Sequence, residues 1–175
     1  KLEKLEDSRI FKNSLENIYV KINFLRKSSE TSVISISSSD KGEGKTTLLV
    51  SLAKTMANLG SKVLIIDSNL RNPSLHKTLG LNNKIGLTTY LEDKELQWND
   101  YIQNISEYPN LSILSSGEVK DEPIKYISSK KMSNLLKDLK NSGLFDFIFI
   151  DSAQVLNYAD TTFLSGLIDG ILLIV

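Results

Sequence analysis

The chain has 175 residues, 41% of them apolar, and carries 21 Lys and Arg against 21 Asp and Glu. It can bury one sizeable core, and no net field draws it to nucleic acid or to an anionic membrane. The absence of cysteine and the single histidine, His76, exclude disulfides, thiolate zinc sites, a cysteine nucleophile and a multi-histidine metal centre. No apolar run reaches the length of a bilayer span, the longest being residues 171–175.

Taken in chain order, Leu5, Ile10, Leu15, Ile18, Ile22 and Leu25 recur at spacings of three to five among charges, predicting one amphipathic helix or two over residues 2–25. Residues 31–37 form a β-branched strand, and residues 45–59 a helix closed by Gly60. The run 62–67 ends V-L-I-I-D, a continuous apolar stretch typical of a strand covered on both faces. Beyond it, Asn72-Pro73 and Gly80 break the chain, with short helices expected at 74–79 and across 98–105. A strand at 111–114, a helix at 126–141, a buried strand at 146–150 ending in Asp151 and a strand at 171–175 complete the pattern. Strands alternating with helices predict an α/β fold with a doubly wound, mostly parallel sheet flanked by helices. Residues 1–30 are expected to form a helical segment packed on a core of residues 31–175. Both ends, at Lys1 and Val175, are expected to be cuts in a longer polypeptide.

Between the first strand and the helix at 45 the chain reads S-S-D-K-G-E-G-K-T-T, from Ser38 to Thr47. Strand, glycine-rich loop and helix in this order form a phosphate-binding loop: consecutive backbone N–H groups wrap an anion at the positive end of the helix. Asp40, Lys41, Gly42, Glu43, Gly44, Lys45, Thr46 and Thr47 are the candidate nucleotide-binding residues, with Lys45 on the β- and γ-phosphates and the Thr46 hydroxyl on Mg²⁺. The usual first glycine is replaced by Ser39. The plainer alternative is a glycine-rich turn with Lys45 as a solvated charge.

Ligands in such sheets bind beyond the carboxyl ends of the strands, where Asp67 and Asp151 stand. Phosphoryl transfer needs positioning and charge neutralisation more than covalent chemistry, so a lysine, Mg²⁺ and one or two acids suffice. Thr46, Asp67 and Asp151 are therefore the candidate metal residues, and Lys45, Asp67 and Arg71 the candidate catalytic ones. Strand-end caps for the acids and a structural ion pair for Arg71 are the alternatives. His76 reads as an ordinary helix residue.

Together these segments resemble the kinase domain of bacterial tyrosine autokinases (BY-kinases), the polysaccharide chain-length regulators of the deviant-Walker P-loop class. G-E-G-K-T-T is similar to that family's Walker A, V-L-I-I-D-S-N-L-R-N-P-S-L-H-K to its Walker A′, and F-D-F-I-F-I-D-S-A-Q to its Walker B; G-L-T-T-Y-L, N-L-S-I-L-S-S-G and L-I-D-G-I-L-L-I-V fit the connecting pieces. The resemblance implies a P-loop NTPase fold and an ATP- and Mg²⁺-dependent protein-tyrosine autokinase regulating exopolysaccharide or capsule synthesis. Asp67 would then hold the metal and activate a tyrosine hydroxyl, and Asp151 would orient metal waters. It further implies a homo-oligomer, a membrane activator domain in the same or a separate chain, polysaccharide polymerase and export machinery as partners, no nucleic acid, and a soluble fragment stationed at the cytoplasmic face of the plasma membrane.

Departures from the family pattern shape the expectation. Asn69 stands where A′ carries a second acid, and Ser152-Ala153-Gln154 where Walker B continues T-P-P. Asn13, Glu16 and Tyr19 occupy the positions of the E-x-x-R-x-x-R oligomerisation motif. The signature lysine of partitioning ATPases is replaced by Asp40, with Lys41 one residue later, which favours the kinase branch. A weakened ATP-binding regulatory module and a partitioning-type ATPase are the alternatives. The six tyrosines are scattered, and each is expected to be a packing residue.

Overall fold

The structure, a computed structural model, describes residues 8–26, 30–39, 42–93, 95, 97–153 and 166–174. Helix α1 (Arg9–Leu25) precedes β1 (Ser32–Ser38), α2 (Lys45–Asn58), β2 (Val63–Asp67), α3 (Leu75–Leu79) and α4 (Leu87–Glu92). A 3₁₀ turn (Trp98–Tyr101) then leads to β3 (Gln103–Ile105), β4 (Tyr108–Leu114), α5 (Pro123–Ile127), α6 (Lys130–Asn141), β5 (Phe147–Asp151) and β6 (Gly170–Ile174).

The strands lie in the order β3-β4-β2-β5-β1-β6. All neighbours are parallel except β3 and β4. The expected helix-flanked, mostly parallel sheet therefore forms. From β1 the chain moves through α2 to β2 in one direction along the sheet, and from β4 through α5 and α6 to β5 in the other. Right-handed crossovers then require α2 and α6 on opposite faces, and the two core clusters fall that way. Leu49, Leu52, Ala53 and Met56 of α2 pack with Val63, Ile65, Phe147 and Phe149. Met132, Leu135, Leu136 and Leu139 of α6 pack with Leu64, Ile66, Ile148 and Ile150. Strands buried on both faces read as unbroken apolar runs because each parity has its own helix layer to meet. Helix α1 joins the α2 layer: Leu15 is buried there, Tyr19 meets Phe147 edge to face, and the Arg26 guanidinium lies 5.2 Å from the same ring centroid and bonds Asp146 at 2.9 Å.

Two expected helices take another form. Residues 98–105 are a 3₁₀ turn followed by β3, which pairs antiparallel with β4. The three-residue spacing of Ile102 and Ile105 imitates a helix, but the tight return at Ser106 and Glu107 brings β4 back as a local hairpin partner. The helix expected over 126–141 is two. Pro123 opens α5 at its first turn, and Ser129, in extended backbone, starts α6 afresh by accepting the Met132 N–H at 3.0 Å. Helix α4 was not expected from the sequence; it is six residues long and its apolar side is set by contacts rather than period. Among the described residues no helix is long and apolar enough to cross a membrane.

Candidate functional site

Strand parity aims both acids at one place. Val63 and Ile65, and Phe147 and Phe149, face the α2 layer, so two residues further on Asp67 and Asp151 point to that same side, at the strand tips. They are direct register partners across β2 and β5, and both are fully buried. The N-terminus of α2 arrives at this point from β1. Gly44, its N-cap, has φ 78°, and Gly42 has φ 92°. Both lie in the left-handed region where a Cβ is disfavoured, so the glycines let the loop turn tightly enough to set Lys45 and Thr46 against the strand ends.

Lys45 is buried, and its ammonium contacts Asp151 Oδ1 and the Ser152 carbonyl. Thr46 donates its hydroxyl proton to the other oxygen, Asp151 Oδ2, at 2.8 Å. The tip of β5 is tied down from both flanks: Ser68 donates from its backbone N–H and from its hydroxyl to the Asp151 carbonyl, each at 3.0 Å. The Ser152 N–H and hydroxyl donate to Ile36 O at 3.1 and 3.0 Å.

Asp67 caps α3, its Oδ2 accepting the Leu75 N–H at 3.2 Å, while its buried Oδ1 has no hydrogen-bond partner. Burial, with Asp151 adding to it, raises its carboxyl to about 7; the backbone N–H groups of Leu75 and Asn69 and the Lys45 charge pull only partly back. An orphaned buried carboxylate oxygen calls for a cation or a proton. Among the described residues no three acidic or histidine side chains gather as a metal cluster. Thr46, Asp67 and Asp151 nevertheless offer the oxygen donors that would suit Mg²⁺, which takes few protein ligands.

Outside these groups a cavity of about 310 Å³ opens, lined by Gly42, Glu43, Gly44, Thr46, Thr47 and Asn69 among others. The predicted residues Gly42 to Thr47 thus come together with Asp67 and Asp151. Asp40 and Lys41 lie outside the described residues. Arg71 is exposed on the loop after β2 and is not among the cavity's lining residues. His76 is a half-buried α3 residue whose Nδ1 has no partner; burial lowers its pKa. Two participants escaped sequence reasoning. One is Ser152, whose carbonyl holds Lys45; the other is Ser74, whose hydroxyl lies 3.0 Å from that of Thr46. Only the N-cap position of Ser74 after Pro73 marked it, and that signal points to a helix start rather than a site.

Of the tyrosines, Tyr90, Tyr101 and Tyr126 are buried. Tyr101 and Tyr126 donate to Asp93 and Glu92, at 2.8 and 2.5 Å. Tyr19 and Tyr108 are half-buried, and Tyr158 lies outside the described residues.

The family model described as an AAA domain matches residues 31–171. The tyrosine-protein kinase YwqD of Bacillus subtilis (strain 168) is 32% identical over 158 residues, which are 90% of this chain and 65% of that protein. The chain thus spans just under two thirds of this relative. Among solved structures, the chimerical protein CapA2B2 superposes with a TM-score of 0.84 at 29% identity, covering 95% of this chain and 71% of the other. The septum site-determining protein MinD complexed with Mg-ADP, from Pyrococcus horikoshii OT3, gives 0.66 at 29%, covering 82% and 57%.

Proposed function

The chain belongs to the AAA domain family, and from that premise we propose that it is the ATP- and Mg²⁺-binding domain of a protein-tyrosine autokinase that regulates exopolysaccharide or capsule synthesis. The observation that carries this is the convergence on Asp151 of the Lys45 ammonium and the Thr46 hydroxyl, with Asp67 in register beside it. The kinase names among its relatives and the Mg-ADP in a MinD neighbour support it.

Lys45 would exchange Asp151 for the β- and γ-phosphates, and the loop N–H groups from Gly42 to Thr46 would cradle the same oxygens. Mg²⁺ supplies charge neutralisation at the transferring phosphoryl group when bound, held by Thr46 and by Asp67 and Asp151 directly or through water. A phenol, with a reference pKa of about 10, is a weak nucleophile at neutral pH. Asp67, at the tip of β2, would accept its proton, the role the resemblance to tyrosine autokinases implies for it. Arg71, on the loop after β2, is the candidate for stabilising phosphoryl charge. The remaining partners implied by the resemblance to tyrosine autokinases, a second copy of the chain, a membrane activator domain and the polysaccharide machinery, belong to this same proposal, as does a station at the cytoplasmic face of the membrane.

A second reading, an ATP-binding regulatory module that transfers no phosphate, is favoured by two observations. Asn69 lines the cavity without a negative charge, and Tyr19, at an oligomerisation-motif position, turns inward to bond Ser61 at 3.1 Å and pack on Phe147. Incubating the full-length protein with Mg-ATP and probing phosphotyrosine separates the two. A kinase gives a signal that Lys45→Met abolishes and Asn69→Asp raises; silence in the parent and in Asn69→Asp leaves the regulatory module.

A further inference from the structure

Ser74 stands at the N-cap of α3, where a serine ordinarily turns its hydroxyl onto the helix's first free N–H groups. Here it makes no such bond. Asp67 takes that role through the Leu75 N–H, and the Ser74 hydroxyl reaches out of its own element to lie 3.0 Å from Thr46 Oγ1. The direction of this bond follows from counting protons. Thr46 has one hydroxyl proton and gives it to Asp151 Oδ2 at 2.8 Å. Ser74 must therefore be the donor and Thr46 the acceptor. With its proton on Asp151 and one lone pair on Ser74, Thr46 has its rotamer fixed and a single lone pair left. Ser74 and Thr46 line one cavity together with Gly44 and Lys45.

We infer that Ser74 is a positioning residue for the metal: by donating to Thr46 it orients that hydroxyl so that its remaining lone pair is offered to a divalent cation bound with the nucleotide. This rests on the nucleotide-binding function proposed above. It makes the segment from the tip of β2 to the start of α3, residues 67–74, contribute the Ser74 hydroxyl as well as the Asp67 carboxylate to the metal site, coupling α3 to the start of α2. Groups that orient a metal ligand in this way change metal affinity by about 10- to 100-fold when removed.

The test is calorimetric titration of the protein with ADP, once with MgCl₂ and once with EDTA, for the parent, Ser74→Ala and Ser74→Thr. The expected result is that Ser74→Ala weakens ADP binding about tenfold in magnesium and leaves it unchanged in EDTA. Ser74→Thr, which keeps the hydroxyl, should restore the parent value. The melting temperature of Ser74→Ala should match the parent, because α3 is capped by Asp67. Equal affinities of parent and Ser74→Ala in magnesium would overturn the inference. So would an equal loss with and without magnesium, which would mark Ser74 as merely structural. Failure of the parent to bind ADP under either condition would instead bring down the nucleotide-binding function itself, and this inference with it.

Discussion

Asp151 ties the candidate site together at the scale of single residues, because one of its oxygens meets the Lys45 ammonium and the other the Thr46 hydroxyl. Removing Lys45 leaves that buried carboxylate with Thr46 alone, and breaking a buried ion pair by deleting one partner is strongly destabilising. Lys45→Met should therefore lower stability by on the order of 3 kcal/mol in urea unfolding, in addition to abolishing nucleotide binding; an unchanged midpoint would contradict the pairing. Asp67 behaves in the opposite sense. Its folded-state pKa of about 7 lies above the ordinary 3.8, so the native state holds a proton that the unfolded chain releases. The stability this contributes is complete below pH ~3.8 and is lost as pH rises through about 7. Nucleotide- and magnesium-free protein should lose stability between about pH 4 and about pH 7 and level off above that. Asp67→Asn should flatten that slope and be the more stable variant at pH 8, as read by denaturant unfolding across the range.

At the scale of elements, the loop before α4 crosses close against the end of β4. The Leu87 and Thr88 N–H groups donate to the Ser115 and Ser116 carbonyls at 2.7 and 2.8 Å, drawing this loop onto the end of β4. A Cβ on Gly86 would stand 2.3 Å from the Ser115 oxygen and 2.5 Å from the Gly117 nitrogen, both backbone atoms that cannot rotate aside. Gly86→Ala should destabilise the protein by about 2 kcal/mol or more, with an unchanged denaturant slope. Polar side chains close the same junction: Asn83 bonds Gly117 through both its amide and its carbonyl, and Thr88 donates to the Glu118 carbonyl at 2.7 Å.

For the whole molecule the question is whether α1 is an appendage or part of the core. Leu15 is 3% exposed within the α2-side cluster, and Tyr19 and Arg26 both reach Phe147 at the start of β5. These contacts predict one cooperative unit. Leu15→Ala should cost about 3 kcal/mol and shift a single unfolding transition monitored by far-ultraviolet circular dichroism and by the fluorescence of Trp98. Separate transitions for the two probes would make α1 an independent appendage. The outward face of α1 exposes Ile10, Val20 and Phe24 at 79%, 62% and 86%, so the helix is apolar on both sides while only its inner side is packed.

Local chemistry by itself determined the repeating strand and helix units, the phosphate loop and the two strand-end acids. Each is written in consecutive residues: β-branched runs, a G-E-G-K-T-T turn, and carboxylates closing apolar stretches. The same local reading mistook residues 98–105 for a helix and fused α5 with α6, because an apolar spacing of three cannot distinguish a helix from a turn and strand held by a neighbour. Only the tertiary structure decided the strand order, and with it that β5 lies between β1 and β2. That insertion, created by crossovers far apart in sequence, sets Asp151 between the P-loop and Asp67. Tertiary packing of α3 on the start of α2 also brings Ser74 against Thr46, 28 residues away along the chain. Burial there, rather than any property of the residue type, raises the Asp67 carboxyl into the neutral range.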